Sequence, residues 1–542
     1  MQQEVAGGDS APNSWFLTAA ERGNEATRID QRRGDGRPWT EGNRVETLVH
    51  GANYFRRLFE VVEGLGQGDR LYFTDWRGDH DERLGDGPQT TVGACFAAAA
   101  RRGVSVKGLL WRSHGDLAGF STRENRHLGD VVNAAGGEVL LDMRIRLVGS
   151  HHQKLVIVRR AGQTDNDVAF VGGIDLCHGR RDDSSHRGDP QRLPMPRVYG
   201  PTPPWHDVQV EIHGPAVGDL ELTFRERWTD PTPLSSGLVH VVQKLRRRTQ
   251  RPGSALPPMP ADPAPAGTQS VQVLRTYGRP RHGYPFAPAG ERSIARAYLK
   301  AVRRARRLIY IEDQFLWSDE VVSSFADALK SRPELQIIAV VPRYFDQSGP
   351  FKWPSQVGRD QAMKALLDAA GDRVGIFDIE NVEGIPVYVH AKVCVIDDVW
   401  AAVGSDNFNR RSWSHDSEVS CAVLDEERDA REPRDPAGLG DGARHFARDL
   451  RLRLWREHLD RGDGDDIDLI DPVQGVQKFR ESAVALELWH QHGGQGQRPP
   501  GRLRPHPRFR PPRTTLLWAE PMYRVVYDPD ARPRAIRKAG EW

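Results

Sequence analysis

At 542 residues, with 38% hydrophobic and 28% charged side chains, the chain has the make-up of a globular protein able to bury a sizeable core. Its formal net charge of +2 argues against a globally polycationic nucleic-acid binder, so any anionic ligand must be met by local clusters. The four cysteines, Cys95, Cys177, Cys394 and Cys421, have neither metal-ligand spacing nor the density of a disulfide scaffold, and a reducing compartment suits them.

Residues 1–44 open without a basic start followed by an apolar core, and no long apolar run occurs anywhere. Neither a signal peptide nor a membrane span is expected, and the location reads as cytoplasmic or peripheral at a membrane. A helix is expected over 45–63, a strand from Asp69 through FTDWRGD, a helix over 92–101 and a strand over 104–112. MRIRLVGSHHQKLVIV (143–158) and DVAFVGGIDL (167–176) follow. The order then repeats. GERSIARAYLKAVRRARR (290–307) has helical spacing and leads into LIYIEDQFL (308–316). A helix and strand are expected over 321–343 and another helix over 360–370. VYVHAKVCVIDDVWAAVGSDNFNRRS (387–412) and DSEVSCAVL (416–424) close the second copy. Apolar runs of strand length alternating with helices imply an α/β fold. It is expected to hold two similar units, residues 45–250 and 268–430, each a mixed sheet flanked by helices, packed as a pseudo-twofold pair around one active site.

The proline-dense stretch 251–267 reads as a linker or loop between the units. In the extension 431–542, residues 491–513 carry six arginines and no acid and read as a flexible basic segment ahead of an ordered piece, TTLLWAEPMYRVVYD. Lys244-LRRRTQR reads as a solvated helix face that would also pair with anionic lipid headgroups, at about 1 kcal/mol per basic residue.

Two His-x-Lys pairs sit at matching places of the repeat. On a strand, His152 and Lys154 project to one side, as do His390 and Lys392. Each pair precedes a glycine-bearing turn, Gly172-Gly173-Ile-Asp175 and Gly404-Ser405-Asp-Asn407. A phosphodiester is anionic, and two lysines converging on it would neutralise its non-bridging oxygens. One imidazole could attack phosphorus while the other protonates the leaving alcohol and then activates water. Glu418 in DSEVS and Asp207 in PWHDVQV are candidate carboxylates behind the two rings. Ser405 is expected to donate near the phosphate or to its own turn, since GSDN lacks the context of a serine nucleophile. Asp75, Arg77, Asp313 and Gln314 lie at equivalent strand ends and read as pocket lining or local pairing. His151 faces the opposite side of its strand, and His178, His186 and His206 lack zinc-site spacing, so no metal is expected. Trp317, Trp353 and Trp413 read as core anchors near loops.

On these residues the chain resembles the phospholipase D superfamily, whose repeated signature is H-x-K-x-x-x-x-D followed by a Gly-Ser or Gly-Gly turn. The second copy matches at His390, Lys392 and Asp397, followed by Gly404, Ser405 and Asn407. The first copy, with HHQKLVIV, AFVGGIDLCHGRRDD and PWHDV, and the segments YIEDQF and AYLKAVRRARR, are similar to the lipid-acting branch. The resemblance implies cofactor-free, metal-independent catalysis through a phosphohistidine, with glycerophospholipid as substrate and His152 as the nucleophile. Phosphatidyl transfer of the cardiolipin synthase kind, a superfamily nuclease and a non-catalytic lipid- or phosphate-binding scaffold are the alternatives. Near-neutral charge weighs against the nuclease. One position departs from the signature: Arg159 stands where the first Asp is expected. Seven residues from His152, it should face away from the histidine and pair with Asp165 or Asp167 at the strand end. Nothing in the sequence sets the oligomeric state.

Overall fold

A computed structural model describes residues 11–114, 121–235, 252–280 and 283–542. The basic stretch Lys244-LRRRTQR lies outside the described residues. The first half contributes β1 (Thr40–Val49), β2 (Arg70–Asp75), β3 (Ser105–Trp111), β4 (Glu138–Asp142), β5 (Leu155–Arg159), β6 (Val168–Gly172), β7 (Trp205–His206) and β8 (Val208–His213). The second contributes β9 (Gln269–Tyr277), β10 (Glu291–Arg292), β11 (Leu308–Glu312), β12 (Gln336–Val340), β13 (Val374–Ile379), β14 (Tyr388–Val389), β15 (Val393–Ile396), β16 (Trp400–Gly404) and β17 (Ser417–Asp425). A short β18 (Leu503–Pro505) comes from the C-terminal extension.

Sixteen of these strands form one mixed sheet. From its centre one wing runs β1-β8-β6-β5-β2-β3-β4 and the other β9-β17-β16-β15-β11-β12-β13. Each wing uses its strands in the same chain order, with three parallel strands outermost and antiparallel neighbours inside. The wings join edge to edge where β1 pairs β9 across a register shift between Thr40 and Asn43. Both faces are covered, which is why β5, β6, β15, β16 and β17 are buried at every position and all but β17, which carries Glu418, read as largely apolar runs. Side-chain alternation divides the core. In the first wing, Leu71, Phe73 and Val156 pack with Tyr54, Phe55 and Leu58 of the helix Gly51–Glu63. In the second, Ile309, Ile311 and Ile337 pack with Ile294 and Tyr298 of the helix Ser293–Arg304 and Phe325 of the helix Asp319–Ser331. The other face of both wings shares one core. It includes Tyr72, Ile157 and Tyr310 with Leu220 and Phe224 of the helix Ala216–Trp228, Trp455 of the helix His445–His458 and Phe479 of the helix Pro472–Gln491. Among the described residues no helix is long and apolar enough to cross a membrane.

Three expectations change. Residues 45–49 belong to β1 rather than to a helix, because they pair with β8 from Val45↔Ile212 to Val49↔Val208. The helix starts only at Gly51, after His50 takes a positive φ of 69°. Residues 491–513 are not free: β18 adds to β13, and Arg498, Arg502, Arg504 and Arg508 each meet a carboxylate within 3.2 Å. The helix expected over 360–370 starts earlier, at Lys352. Residues 252–267 carry no helix or strand, as their prolines require, yet they strap the first wing through Pro258, Pro260 and Ala261 carbonyls that accept from Arg70 and Arg159. Trp317 and Trp413 are buried, and Trp353 packs against the cluster around Trp317.

Candidate active site

Neither His-x-Lys pair lies within the ladder of its own sheet. β5 begins at Leu155 and β15 at Val393, each just past its lysine. The reason is that the backbone ahead of each strand bonds to the opposite wing. His152 N–H donates to Ser417 O (2.9 Å) and Ser417 N–H to Ser150 O (3.0 Å). In mirror fashion His390 N–H donates to His206 O (2.8 Å), and β14 pairs with β7. Each histidine is thereby held against a carboxylate from the other wing.

His152 Nδ1 lies 2.9 Å from Glu418 Oε2, and His390 Nδ1 lies 2.7 Å from Asp207 Oδ2. With Nδ1 engaged, each ring keeps Nε2 for a reacting atom. Glu418 also accepts from Ser405 Oγ (2.6 Å) and Ser412 Oγ (2.7 Å). Gly173 occupies the place in the first turn that Ser405 takes in the second. A Cβ there would stand 2.1 Å from Asp207 Oδ1, so glycine is what lets Asp207 approach. Asp207 accepts instead from Trp205 Nε1 (3.4 Å) and the Val208 amide (2.9 Å). Burial raises the Asp207 pKa, with the Lys392 and Arg180 charges opposing.

The lysines differ. Lys154 forms a buried ion pair with Asp175 (3.1 Å). Burial pushes the Asp175 carboxyl up, but Lys154 and Arg180 outweigh it and hold it well below the usual carboxylate range. In the second wing the position matching Asp175 is Asn407, buried and uncharged. Lys392 contacts the His390 carbonyl and Gln314 Oε1 (3.5 Å). Burial first, and then the charge of Lys154 against the pull of Asp207, lower Lys392 to about 8. The turn that carries Asp175, the partner of Lys154, abuts the carbonyl that Lys392 contacts: a Cβ on Gly173 would stand 3.2 Å from His390 O, which brings both lysines to one site. His390 is pushed well below the ordinary imidazole range by burial, then by Lys392 and Arg180.

Strand-end acids do positional work. Asp75 accepts from the Trp76 and Leu176 amides (2.8 and 2.9 Å), and Asp313 from those of Phe315 (2.8 Å), Leu316 (2.5 Å) and Phe408 (3.0 Å), tying each glycine-bearing turn to its neighbouring strand. Arg77 pairs with Asp79, whereas Gln314 reaches Lys392 and Tyr388 Oη (2.9 Å) and does line the site. His151 is buried against Gln153, and His178 pairs with Asp79 and Asp81.

Asp397, included in the site by the signature, is elsewhere. It sits at the far end of β15, five residues past Lys392 and roughly 16 Å along an extended chain. With Asp398 it forms a positive-φ hairpin turn (53° and 59°), and its carboxylate accepts from the Arg306, Arg307 and Leu308 amides at 2.6–2.8 Å. It pins the turn to the start of β11. In the first wing that task falls to Asp69, at the start of β2, which accepts from the Ala161 amide (2.8 Å). Arg159 is therefore spared the role. It is 2% exposed, with Asp167 Oδ2 and Glu221 Oε2 each 3.0 Å from its guanidinium. Asp167 was among the expected partners and Asp165 is not one; the pair is buried.

Arg180 was not anticipated. It donates to Asp175 (3.3 Å) and stacks 3.8 Å over Trp205, whose ring lies 5.0 Å from that of His390. Its signal was its place in AFVGGIDLCHGRRDD, five residues after Asp175.

The family described as Phospholipase D matches residues 81–327, and that described as Cardiolipin synthase, PLD-like domain, matches residues 298–432. The chain is 26% identical over 430 residues to Phospholipase D alpha 1 of Cynara cardunculus, covering 60% of this chain and 50% of that protein. It is 26% identical over 592 residues to Phospholipase D alpha 1 of Oryza sativa subsp. japonica, covering 85% and 70%. The chain thus spans only half the length of the first of these relatives. A solved phosphatidylserine synthase from Haemophilus influenzae Rd KW20 aligns with a TM-score of 0.48 at 14% identity, over 71% of this chain and 82% of that one. With two family matches that together run from residue 81 to 432 and enclose both His-x-Lys pairs, the chain belongs to the phospholipase D superfamily.

Proposed function

We propose that the chain is a phospholipase D-type enzyme that hydrolyses glycerophospholipids to phosphatidic acid and free headgroup. The observation that carries this reading is the crossed arrangement, in which each histidine is oriented by a carboxylate from the opposite wing and the Lys154–Asp175 turn abuts the His390 carbonyl that Lys392 contacts. Nε2 of one ring attacks phosphorus and the bond to the headgroup oxygen breaks, leaving a phosphatidyl–histidine. The other ring gives its proton to the departing alkoxide, then takes one from the water that displaces the histidine. Lys154 and Lys392 neutralise the non-bridging oxygens throughout. An alcohol in place of water gives phosphatidyl transfer through the same intermediate, and the match to the cardiolipin synthase-like family supports that outcome as a second reading.

The resemblance assigns the nucleophile to His152. One feature supports the reverse: burial and adjacent cations hold the His390 ring neutral, and a neutral ring can attack. The deciding experiment incubates pure protein with phosphorus-labelled phosphatidylcholine, phosphatidylethanolamine and single-stranded DNA, with and without a primary alcohol, followed by a rapid alkaline quench. Labelled phosphatidic acid and label on one histidine support the reading, and the labelled ring is the nucleophile. Cleavage of DNA without lipid turnover, or turnover without any labelled histidine, refutes it.

A further inference from the structure

Behind the Asp207–His390 pair lies a second cluster of ionisable side chains that the proposed reaction does not use. Glu457, on the helix His445–His458, is its hub. His50 Nε2 lies 2.7 Å from Glu457 Oε2, while His186 Nε2 and His206 Nδ1 lie 3.0 and 3.4 Å from Oε1. One ligand atom from each of the four residues falls within 4.8 Å of all the others. The His50 ring meets those of His186 and His206 nearly edge-on, at 77° and 70°, which fits nitrogens aimed at a common point.

His50 and His186 could each donate one proton to Glu457, so those two contacts alone require nothing more. His206 is the exception. Its Nε2 faces Glu312 at 2.7 Å and its Nδ1 faces Glu457 at 3.4 Å, and against the downward pull of burial the two carboxylates raise the ring to about 10. The buried Nδ1 has no hydrogen-bond partner, although the Glu457 carboxylate stands beside it. Two buried carboxylates thus demand positive charge at this point, and a metal ion between His206 Nδ1 and Glu457 would supply it in place of the second ring proton. A divalent ion would balance the two buried carboxylates, Glu312 and Glu457, while leaving all three rings neutral.

We propose that His50, His186, His206 and Glu457 form a closed, structural zinc site. Imidazole and carboxylate donors suit zinc, and ligand atoms of a tetrahedral site lie about 3.3 Å apart for bonds near 2.0 Å. The separations from Glu457, 2.7–3.4 Å, bracket that value. Glu312 on His206 Nε2, and Asp182 3.6 Å from His186 Nδ1, stand where acids behind metal-bound histidines orient the rings. Glu312 itself is already occupied by His206, His458 (2.7 Å) and Tyr310 Oη (2.5 Å), which makes it a poor fourth ligand. Four protein ligands leave no open position, so the ion would clasp the helix His445–His458 to the first wing rather than meet substrate. Because His206 O accepts the His390 amide and Asp207 is the next residue, the clasp would also steady the backbone beneath Asp207, the carboxylate that orients His390. No short motif announces it: its ligands lie at 50, 186, 206 and 457.

The test uses the full chain, produced with zinc in the medium and dialysed against metal-free buffer. We expect about one zinc per chain by plasma mass spectrometry, and intense visible bands of four-coordinate cobalt when Co²⁺ replaces it. Stripping the ion should lower the unfolding temperature, and Zn²⁺ should restore it. His50→Gln and Glu457→Gln should each lose the bound equivalent. Should either variant fail to fold, X-ray absorption of the wild-type protein decides, since three imidazoles, one carboxylate and no sulfur are expected around the ion. Wild-type protein holding no stoichiometric metal and giving no cobalt bands overturns the proposal. So does stoichiometric zinc that both folded variants retain with an unchanged cobalt spectrum.

Discussion

Arg159→Asp puts the signature aspartate back into the first copy, and the structure gives its consequence. The guanidinium is 2% exposed and lies 3.0 Å from both Asp167 and Glu221, while its Nη2 donates to the Pro260 and Ala261 carbonyls at 3.2 and 2.7 Å. The substitution removes the cation, leaves two buried carboxylates and adds a third. Glu221 keeps Arg225 at 2.6 Å, but Asp167, whose pKa burial already raises to about 6, loses its nearest charge partner. Breaking a buried pair from one side costs about 3–5 kcal/mol. At roughly 2 °C per kcal/mol for a large chain, the unfolding temperature should fall by roughly 6–10 °C. Turnover per folded molecule should stay within about twofold, because β5 places residue 159 five residues beyond Lys154, roughly 16 Å away. The assay pairs calorimetry with lipid turnover normalised to folded protein well below the transition. An order-of-magnitude change in normalised turnover, in either direction, or an unmoved unfolding temperature, would show that the strand-end reading is wrong.

Lys392, lowered to about 8, must be charged to neutralise phosphate, so kcat/KM should fall as pH rises through about 8. The folded pKa lies below the unfolded 10.5, so stability should instead rise over that window, from about 8 toward 10.5; activity and stability falling together would contradict the assignment. Gly173→Ala drives a methyl to 2.1 Å from Asp207 Oδ1 and should lower kcat on the order of a hundredfold with KM little changed, whereas Ser405→Ala leaves Glu418 with His152 and Ser412 and should cost less than about tenfold. Steady-state kinetics of the two variants test this ordering, and the reverse order refutes it. Asp397→Asn replaces one of two acceptor oxygens facing three amides and should destabilise by about 1–3 kcal/mol while leaving turnover per folded molecule unchanged, measured as for Arg159→Asp.

The repeat, the buried strands and the two His-x-Lys pairs are legible from sequence because they rest on local pattern. A strand buried on both faces is mostly apolar, and a duplicated motif marks itself by matching order. The candidate carboxylates Glu418 and Asp207 are also visible as acids beside motif strands. What the sequence cannot carry is which wing each one serves. Glu418 stands against His152 and Asp207 against His390 only because the segments ahead of β5 and β15 cross to the other wing for their backbone partners. Likewise β1 reads as the start of a helix until β8 and β9 are there to take its hydrogen bonds. Asp397 belongs to the signature, yet its three amide donors come from residues 306–308, about ninety positions away. Arg180, the carboxylates around Arg159 and the His50–His186–His206–Glu457 cluster are likewise assembled by long-range packing, whose partners no local spacing encodes. Sequence by itself determined the residue types the chemistry needs, because local periodicity and motif spacing are properties of neighbours along the chain. Tertiary structure alone decided which charges face one another, because burial and distance are set between wings.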